Sequence, residues 1–466
     1  MAGHLKVIDL VQAQLRPFLS KAVNNKGFAA AVATAYGQIF IQILLQLVLV
    51  PLYLNTLGKY RFGVLMTLLV AVQISTIGLS WLQGCVLRLI GEVRSSVPRE
   101  TLADVGCAGM AVKIISSSYG LVLWGVAVIV AFFGGASLLV DPDGGLGSAE
   151  LTGALVLGGA YIFFQHVFAS DYWVLTALKR QAVANLLLIL SLFIFAVTVV
   201  PWLYAGGGLA GVMGCFAAGT AASIIGAKIY RFYIGVRLGP LDSAVWAVIR
   251  KLFSRRSVPF AVYAFALALM QSDTLLVSYF GGAHMAADFV LIWKIPEILL
   301  LLLARIPEGF LPYLIEREIH GDGDSVHRAY GQLVWGVRIV ALALGAAYVF
   351  AGAGVIRLWV GPDFALPSSW AFVAAGGGLM WLAWARVQMV FAYGLAQLHL
   401  VNRLLLTEVV AKIILSIVLI PYLGPMAPVV AINILHAGGM AWVYSRLGRA
   451  AVNGASGKPE LGTKAP

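Results

Sequence analysis

Charge is scarce in this chain. Asp, Glu, Lys and Arg together make up 11% of its 466 residues, where a soluble domain carries about 25%. Apolar side chains make up 61%, and the mean hydropathy is +0.92. One soluble core cannot bury that much apolar surface, so the excess must face lipid. Cysteine is scarcer still. Cys85, Cys107 and Cys215 lie in or beside apolar runs with no CxxC or Cys/His spacing, which excludes a disulfide framework and a structural zinc site. No GxxxxGK[ST] phosphate loop occurs, so the chain is no ATPase subunit. No gap between apolar runs exceeds about 25 residues, which leaves no room for a soluble catalytic domain. None carries an aspartate cluster able to hold a metal–nucleotide sugar. The Asp141-Pro-Asp143-Gly-Gly stretch reads as a turn between spans. The chain is expected not to be an enzyme and to need no cofactor or metal.

What charge there is carries a pattern. A net +12 would suit nucleic acid, but the basic residues sit in short gaps between apolar runs, as membrane topology requires. No nucleic-acid partner is expected. With the N-terminus in the cytoplasm, Lys and Arg number 23 on that side, and only Lys59, Arg61 and Arg357 fall opposite. That asymmetry puts both termini in the cytoplasm. The first residues are no signal peptide, because Lys6, Arg16, Lys21 and Lys26 interrupt any apolar stretch. Ile8, Val11, Leu15, Phe18 and Ala22 recur at helical spacing, as in a helix lying on the membrane surface.

The apolar runs are continuous rather than alternating, which selects helices over a barrel. Spans are expected near 28–52, 62–86, 104–133, 151–176, 185–204 and 209–233, then 258–280, 286–313, 331–353, 369–393, 402–420 and 425–446. The fold class is therefore all-α, a polytopic membrane protein of about 12 transmembrane helices. The expected domains are an interfacial helix over 1–27, a six-helix bundle over 28–234, a basic cytoplasmic linker over 235–257, a second bundle over 258–446 and a flexible tail over 447–466. Six spans is an even number, so the halves would be parallel repeats about an axis along the membrane normal.

Polar residues in lipid need a cavity, a partner or an escape to the interface. Gln38, Gln42 and Gln46 recur every four residues on one face of the first span, with Thr34 a turn earlier. Gln73, Thr76, Ser80 and Gln83 do the same in the second. Such uncharged stripes suit a lumen that hydrogen-bonds water or sugar hydroxyls, or else hold helices together. In the seventh span Asp273 follows Gln271 and Ser272, too deep to snorkel; it is either a coupling-ion site or half of a structural ion pair. The eighth span repeats Lys294-Ile-Pro-Glu297 as Arg305-Ile-Pro-Glu308. Each copy sets base and acid three residues apart, able to pair, and each proline should bend the helix or loosen its bonds. Lys294 and Arg305 either line a path or snorkel. Lys113, Arg338 and Arg386, near cytoplasmic ends, are expected to snorkel, and Lys412 to pair with Glu408 one turn before it. His166 and His436 read as bundle histidines, and Asp171 as lying near an interface.

The stripes fall on the first, second, seventh and eighth spans, and short motifs accompany them. Pro51-Leu-Tyr-Leu-Asn-Thr-Leu-Gly-Lys-Tyr-Arg-Phe-Gly63, Arg88-Leu-Ile-Gly-Glu92, Ser272-Asp-Thr-Leu-Leu-Val-Ser-Tyr-Phe-Gly281 and Leu358-Trp-Val-Gly361 follow one another in order along the chain. In these motifs and their spacing the sequence resembles a Wzx-type polysaccharide or O-antigen flippase of the multidrug/oligosaccharidyl-lipid/polysaccharide (MOP) exporter superfamily.

That resemblance implies two six-helix bundles around a central cavity in a bacterial inner membrane. It implies a polyprenyl-pyrophosphate-linked oligosaccharide as cargo, moved to the outer leaflet by alternating access and coupled to H+ or Na+. Membrane lipid and other polysaccharide assembly proteins would be its partners. The candidate cargo contacts are Lys294, Arg305, Arg88, Gln38, Gln42, Gln46, Gln73 and Gln83, and the candidate coupling-ion residues are Asp273 and Glu297. Related lipid II flippases carry basic residues on the first helix; here that helix has glutamines, which shifts pyrophosphate contact to Lys294, Arg305 and Arg88. A drug antiporter of the same superfamily and a membrane-embedded polysaccharide polymerase or ligase are the rival readings.

Overall fold

A computed structural model describes residues 26–83, 85, 101–132, 147–236, 238, 242–253, 257–319, 323–361, 368–394 and 398–455. Among these the secondary structure is helical throughout, with no strand. The first half contains α1 (Lys26–Leu79), α2 (Thr101–Phe132), α3 (Ser148–Ala177), α4 (Gln181–Tyr204) and α5 (Leu209–Tyr233). A short amphipathic α6 (Ser243–Leu252) follows. The second half contains α7 (Val258–Met270), α8 (Asp273–Ile319), α9 (Gly323–Val360), α10 (Trp370–Gly394), α11 (Leu398–Leu423), α12 (Ala427–Leu435) and α13 (Ala441–Ala455). Seven stretches of the described helices are long and apolar enough to cross a membrane. This is a multi-pass, all-α membrane protein.

Two boundaries differ from the sequence expectation. The linker 235–257 is not all loop, because α6 occupies its centre. The last helix runs on to Ala455, past the boundary expected at 446, so the first part of the expected tail is helical. The surface helix expected over 1–27 falls almost wholly outside the described residues, as do Asp141 to Asp143.

Helix contacts divide the chain into two compact units. One comprises Met1–Val48, Gln83–Ala127 and Gly159–Leu252. In it α4 and α5 pack through small and aromatic residues. Ser223 Oγ donates to the Leu187 carbonyl at 2.6 Å, and the Phe195 and Phe216 rings stack 3.8 Å apart. The other comprises Leu49–Leu82, Val128–Gly158 and Phe253–Pro466. There Gly345 of α9 and Gly376 of α10 meet so closely that a Cβ on either would lie 2.7 or 2.6 Å from the other's carbonyl oxygen. Small residues that admit backbone to backbone are how helices associate in lipid, where hydrophobicity gives no preference. Many large apolar side chains accordingly face outward, with Leu358 90% and Phe350 88% exposed. Ser, His, Asp, Glu and Lys also occur inside: Ser116, His166, Asp171, Glu408, Lys412 and His436 are all buried.

Two long helices are in fact pairs of spans merged across a glycine. Gly58 in α1 has φ 79° and ψ 166°, and Gly282 in α8 has φ 79° and ψ 173°. This left-handed backbone is open to glycine and strained for other residues. The two positions are 224 apart in number, and so are Tyr60 and His284, whose rings meet edge to face at 5.3 Å. A repeat nearly invisible in the residues thus appears in the backbone. Nearby, Lys59 Nζ lies 2.7 Å from Asp288 Oδ1 and Arg61 Nη2 lies 3.0 Å from Glu150 Oε2.

Candidate functional site

The unit built mainly from the second half holds two linked sets of buried polar and charged groups. The seventh span is broken where Gln271 and Ser272 form a turn between α7 and α8. Lys412 of α11 fills the break. Its Nζ lies 2.6 Å from Asp273 Oδ1 and donates to the Met270 carbonyl at 2.7 Å. The cation thus meets both an acid and the carbonyl end of α7, where the helix dipole is negative. Asp273, weighed as an ion site, has an ammonium beside it. Its partner was not legible, because Lys412 does not form the expected pair with Glu408. Glu408 instead faces His436 Nε2 at 2.9 Å through Oε1 and accepts a hydrogen bond from the Tyr444 hydroxyl through Oε2. His436 is therefore more than a lone bundle histidine.

On α8 the pair expected within the first repeat forms, with Lys294 Nζ 3.0 Å from Glu297 Oε2. Lys294 is 14% exposed and Glu297 42% at the side chain. Lys294 stands twelve residues past Gly282, about 18 Å along the helix and near the middle of a roughly 30 Å hydrocarbon layer. Arg305, eleven residues further on, is about 34 Å along and so near the far end of the span; it is exposed. The Glu308 side chain lies outside the described residues. The backbone stays helical through Pro296 and Pro307; the one non-helical residue in α8 is Gly282. The loosening expected at Pro296 is visible at the Ile292 carbonyl, which takes a hydrogen bond from Tyr348 Oη instead.

In the other unit the first polar stripe divides. Thr34 Oγ1 accepts from Asn185 Nδ2 at 3.2 Å, so that end joins helices. Gln38 Nε2 donates to Gln42 Oε1 at 3.1 Å, and Gln38, Gln42 and Gln46 are half-buried. Gln83 is half-buried as well, whereas Gln73, in the unit dominated by the second half, is exposed. Arg88 lies outside the described residues.

Sequence reasoning missed one cluster altogether. Asp171 of α3 is buried between Lys113 Nζ of α2 at 3.4 Å and Arg231 Nη2 of α5 at 3.1 Å. Lys113 therefore pairs rather than snorkels. Lys113, Lys228 and Arg231 line a cavity of about 540 Å³ together with Met110, Phe232, Val236 and Leu238. The signal was present only as separate charges on three helices. Arg338 likewise ends among rings, 4.1 Å from the Trp384 centroid. Among the described residues no three His, Cys, Asp or Glu side chains gather as a metal site would require.

No family profile and no curated protein matches the sequence. Solved structures do. An inward-facing multidrug resistance MATE family transporter of the MOP superfamily superposes with a TM-score of 0.72 at 13% identity, over 92% of this chain and 96% of that one. The chain has the MATE fold. An outward-facing MATE structure gives 0.59 at 15% identity over 92% and 97% of the two chains. A MOP superfamily transporter from Pyrococcus furiosus, described as having a binding pocket of reversed polarity, gives 0.60 at 14% over 91% and 96%. The MATE fold accounts for twelve spans, of which α1 and α8 each supply two pieces across their glycines.

Proposed function

We propose that this chain is a MOP-superfamily transporter that moves a polyprenyl-pyrophosphate-linked oligosaccharide from the cytoplasmic to the outer leaflet of a bacterial inner membrane. In this reading residues 28–234 and 258–446 act as two bundles, both termini are cytoplasmic, and the work is transport rather than catalysis. The observation that carries it is Lys294, a cation about midway through the membrane, held by Glu297 at 3.0 Å on a proline-containing helix. A cation at that depth suits a diphosphate in transit. The half-buried amides Gln38, Gln42 and Gln46 suit sugar hydroxyls, and they lend no negative charge with which to hold a cationic drug. The head group is too polar to cross hydrocarbon unaided, while its lipid tail can stay in the bilayer. Asp273 and Glu297 stand as candidates for ion coupling, and Arg305 and Arg88 as cytoplasmic contacts for the diphosphate.

The test is a deletion strain. The lipid-linked sugar should accumulate in the cytoplasmic leaflet, with surface polysaccharide lost and restored by the intact gene. Normal surface polysaccharide in the deletion strain would refute the flippase reading. Export of cationic dyes by the overproduced protein would favour the drug antiporter; two of the MATE-fold neighbours are described as multidrug resistance transporters.

A further inference from the structure

The Glu408 cluster has the parts of a proton switch. Glu408 of α11 and His436 are each 2% exposed, and Tyr444 of α13 is fully buried. The carboxylate meets His436 Nε2 on one oxygen and the Tyr444 hydroxyl on the other. The imidazole lies between parallel rings, 6.1 Å from Trp381 at 10° and 5.9 Å from Tyr444 at 19°. Its Nδ1 is buried without a hydrogen-bond partner. The histidine also opens a π-turn, His436–Met440, in which Gly439 has φ 132°. Such a turn carries one residue more than an α-helix and is common at functional sites.

Counting hydrogens shows which state fits this geometry. With Glu408 ionised and His436 neutral, Nε2–H and the Tyr444 hydroxyl each donate to one carboxylate oxygen, and Nδ1 keeps only a lone pair. A further proton has three places to go. On Nδ1 it makes an N–H with no acceptor. On Oε1 it donates to Nε2 and moves the ring hydrogen to Nδ1, again without an acceptor. On Oε2 it donates to Tyr444 and leaves that hydroxyl's own hydrogen unpaired. Each choice buries an orphaned donor, which is costly. The observed arrangement therefore belongs to the deprotonated cluster, and an added proton favours one that brings an acceptor.

The facing charges do not supply that acceptor. Arg386 of α10 and Tyr263 of α7 are the other electrostatic neighbours of Tyr444. Lys412, one turn along α11, is engaged with Asp273 of α8 and the Met270 carbonyl. With His436 neutral, Glu408 and Arg386 balance, as do Asp273 and Lys412.

We infer that Glu408, His436 and Tyr444 form a proton-binding site whose occupation rearranges α11 to α13 about the π-turn, whatever the cargo.

Infrared difference spectra of the purified full chain in lipid nanodiscs, between about pH 5 and about pH 8, test it. The wild type should show carboxyl and imidazole protonation bands together with an amide change from helix rearrangement. Glu408→Gln should abolish the Glu408 carboxyl band and the amide change, His436→Gln should abolish the amide change, and the exposed His399→Gln should abolish neither. Tyr444→Phe removes one donor from the carboxylate and should raise the midpoint by about one pH unit, a tenfold gain in proton affinity. An amide change that survives Glu408→Gln or His436→Gln, or a Glu408 carboxyl band that arises without one, would overturn the proposal. Should the Glu408 and His436 variants fail to fold, an unmoved midpoint in Tyr444→Phe would overturn it instead. No cargo enters the measurement, so its failure leaves the flippase reading standing, and a failed deletion test leaves the spectra standing.

Discussion

Tyr348 donates its hydroxyl hydrogen to the Ile292 carbonyl at 2.5 Å, across from α9 to α8. That carbonyl is the one Pro296, four residues on, cannot serve, because proline has no N–H. An orphaned carbonyl in the membrane interior is costly, and the buried tyrosine removes the cost. Tyr348→Phe should therefore lower stability by about 1–2 kcal/mol. In a Pro296→Ala background the new N–H can close the helical bond, so the same tyrosine change should cost much less. Thermal unfolding of the four proteins in detergent checks this cycle, and equal costs in both backgrounds would disprove the pairing's purpose.

The Asp273–Lys412 pair permits a similar argument with a larger stake. Both side chains are withdrawn from water, and they lie 2.6 Å apart. Removing one partner of a buried pair costs about 3–5 kcal/mol, because the other charge is stranded. Lys412→Met should thus depress the melting temperature and the yield strongly. Asp273→Asn combined with Lys412→Met should recover much of the loss, since neither charge then remains. If the double variant is no better than the single one, the residues are not energetically paired.

How much of this was readable beforehand depends on distance along the chain. The twelve spans were legible because a helix in lipid announces itself by local composition alone. The Lys294–Glu297 pair was legible for the same reason, being three residues apart on one helix. Lys412 was misassigned because Glu408 stands at a good intrahelical spacing. The rotation of α11 instead gives Lys412 to a helix break 139 residues earlier (412 − 273) and Glu408 to His436 and Tyr444 further on. Nothing local encodes which face of α11 meets which neighbour. The Asp171 cluster was missed likewise, since α2, α3 and α5 each contribute one charge.

The contact between Gly63 and Ala283 separates packing from surface charge. A Cβ at Gly63 would overlap the Ala283 carbonyl oxygen, a backbone atom that cannot rotate away. Gly63→Ala should therefore force the second span away from the start of the eighth and cost about 1–3 kcal/mol. The neighbouring Lys59–Asp288 pair is close, at 2.7 Å, but its side chains are 35% and 26% exposed. Lys59→Ala should cost about 0–1 kcal/mol. Thermal unfolding ranks the two, and a larger loss from the lysine would reverse the argument.

Lys294 and Arg305 occupy matching places in a repeated motif, yet their depths predict unequal roles. Lys294 sits near the membrane middle, where a phosphate must trade its hydration for fixed donors. On the proposed flippase function a charge-assisted contact there is worth about 1.5–3 kcal/mol, so Lys294→Ala should slow export of lipid-linked sugar about ten- to a hundredfold. Lys294→Arg, which keeps the charge, should retain more. Arg305 is exposed near the far end of the span, where water and salt weaken its pull. Arg305→Ala should therefore raise the cargo concentration needed for half-maximal export more than it lowers the maximal rate. Surface polysaccharide in complemented deletion strains, with protein levels matched, measures the first effect, and uptake of labelled lipid carrier by inverted vesicles measures the second. Full complementation by the Lys294→Ala/Arg305→Ala double variant would remove both residues from the transport path, and with them the cationic route on which a diphosphate cargo depends.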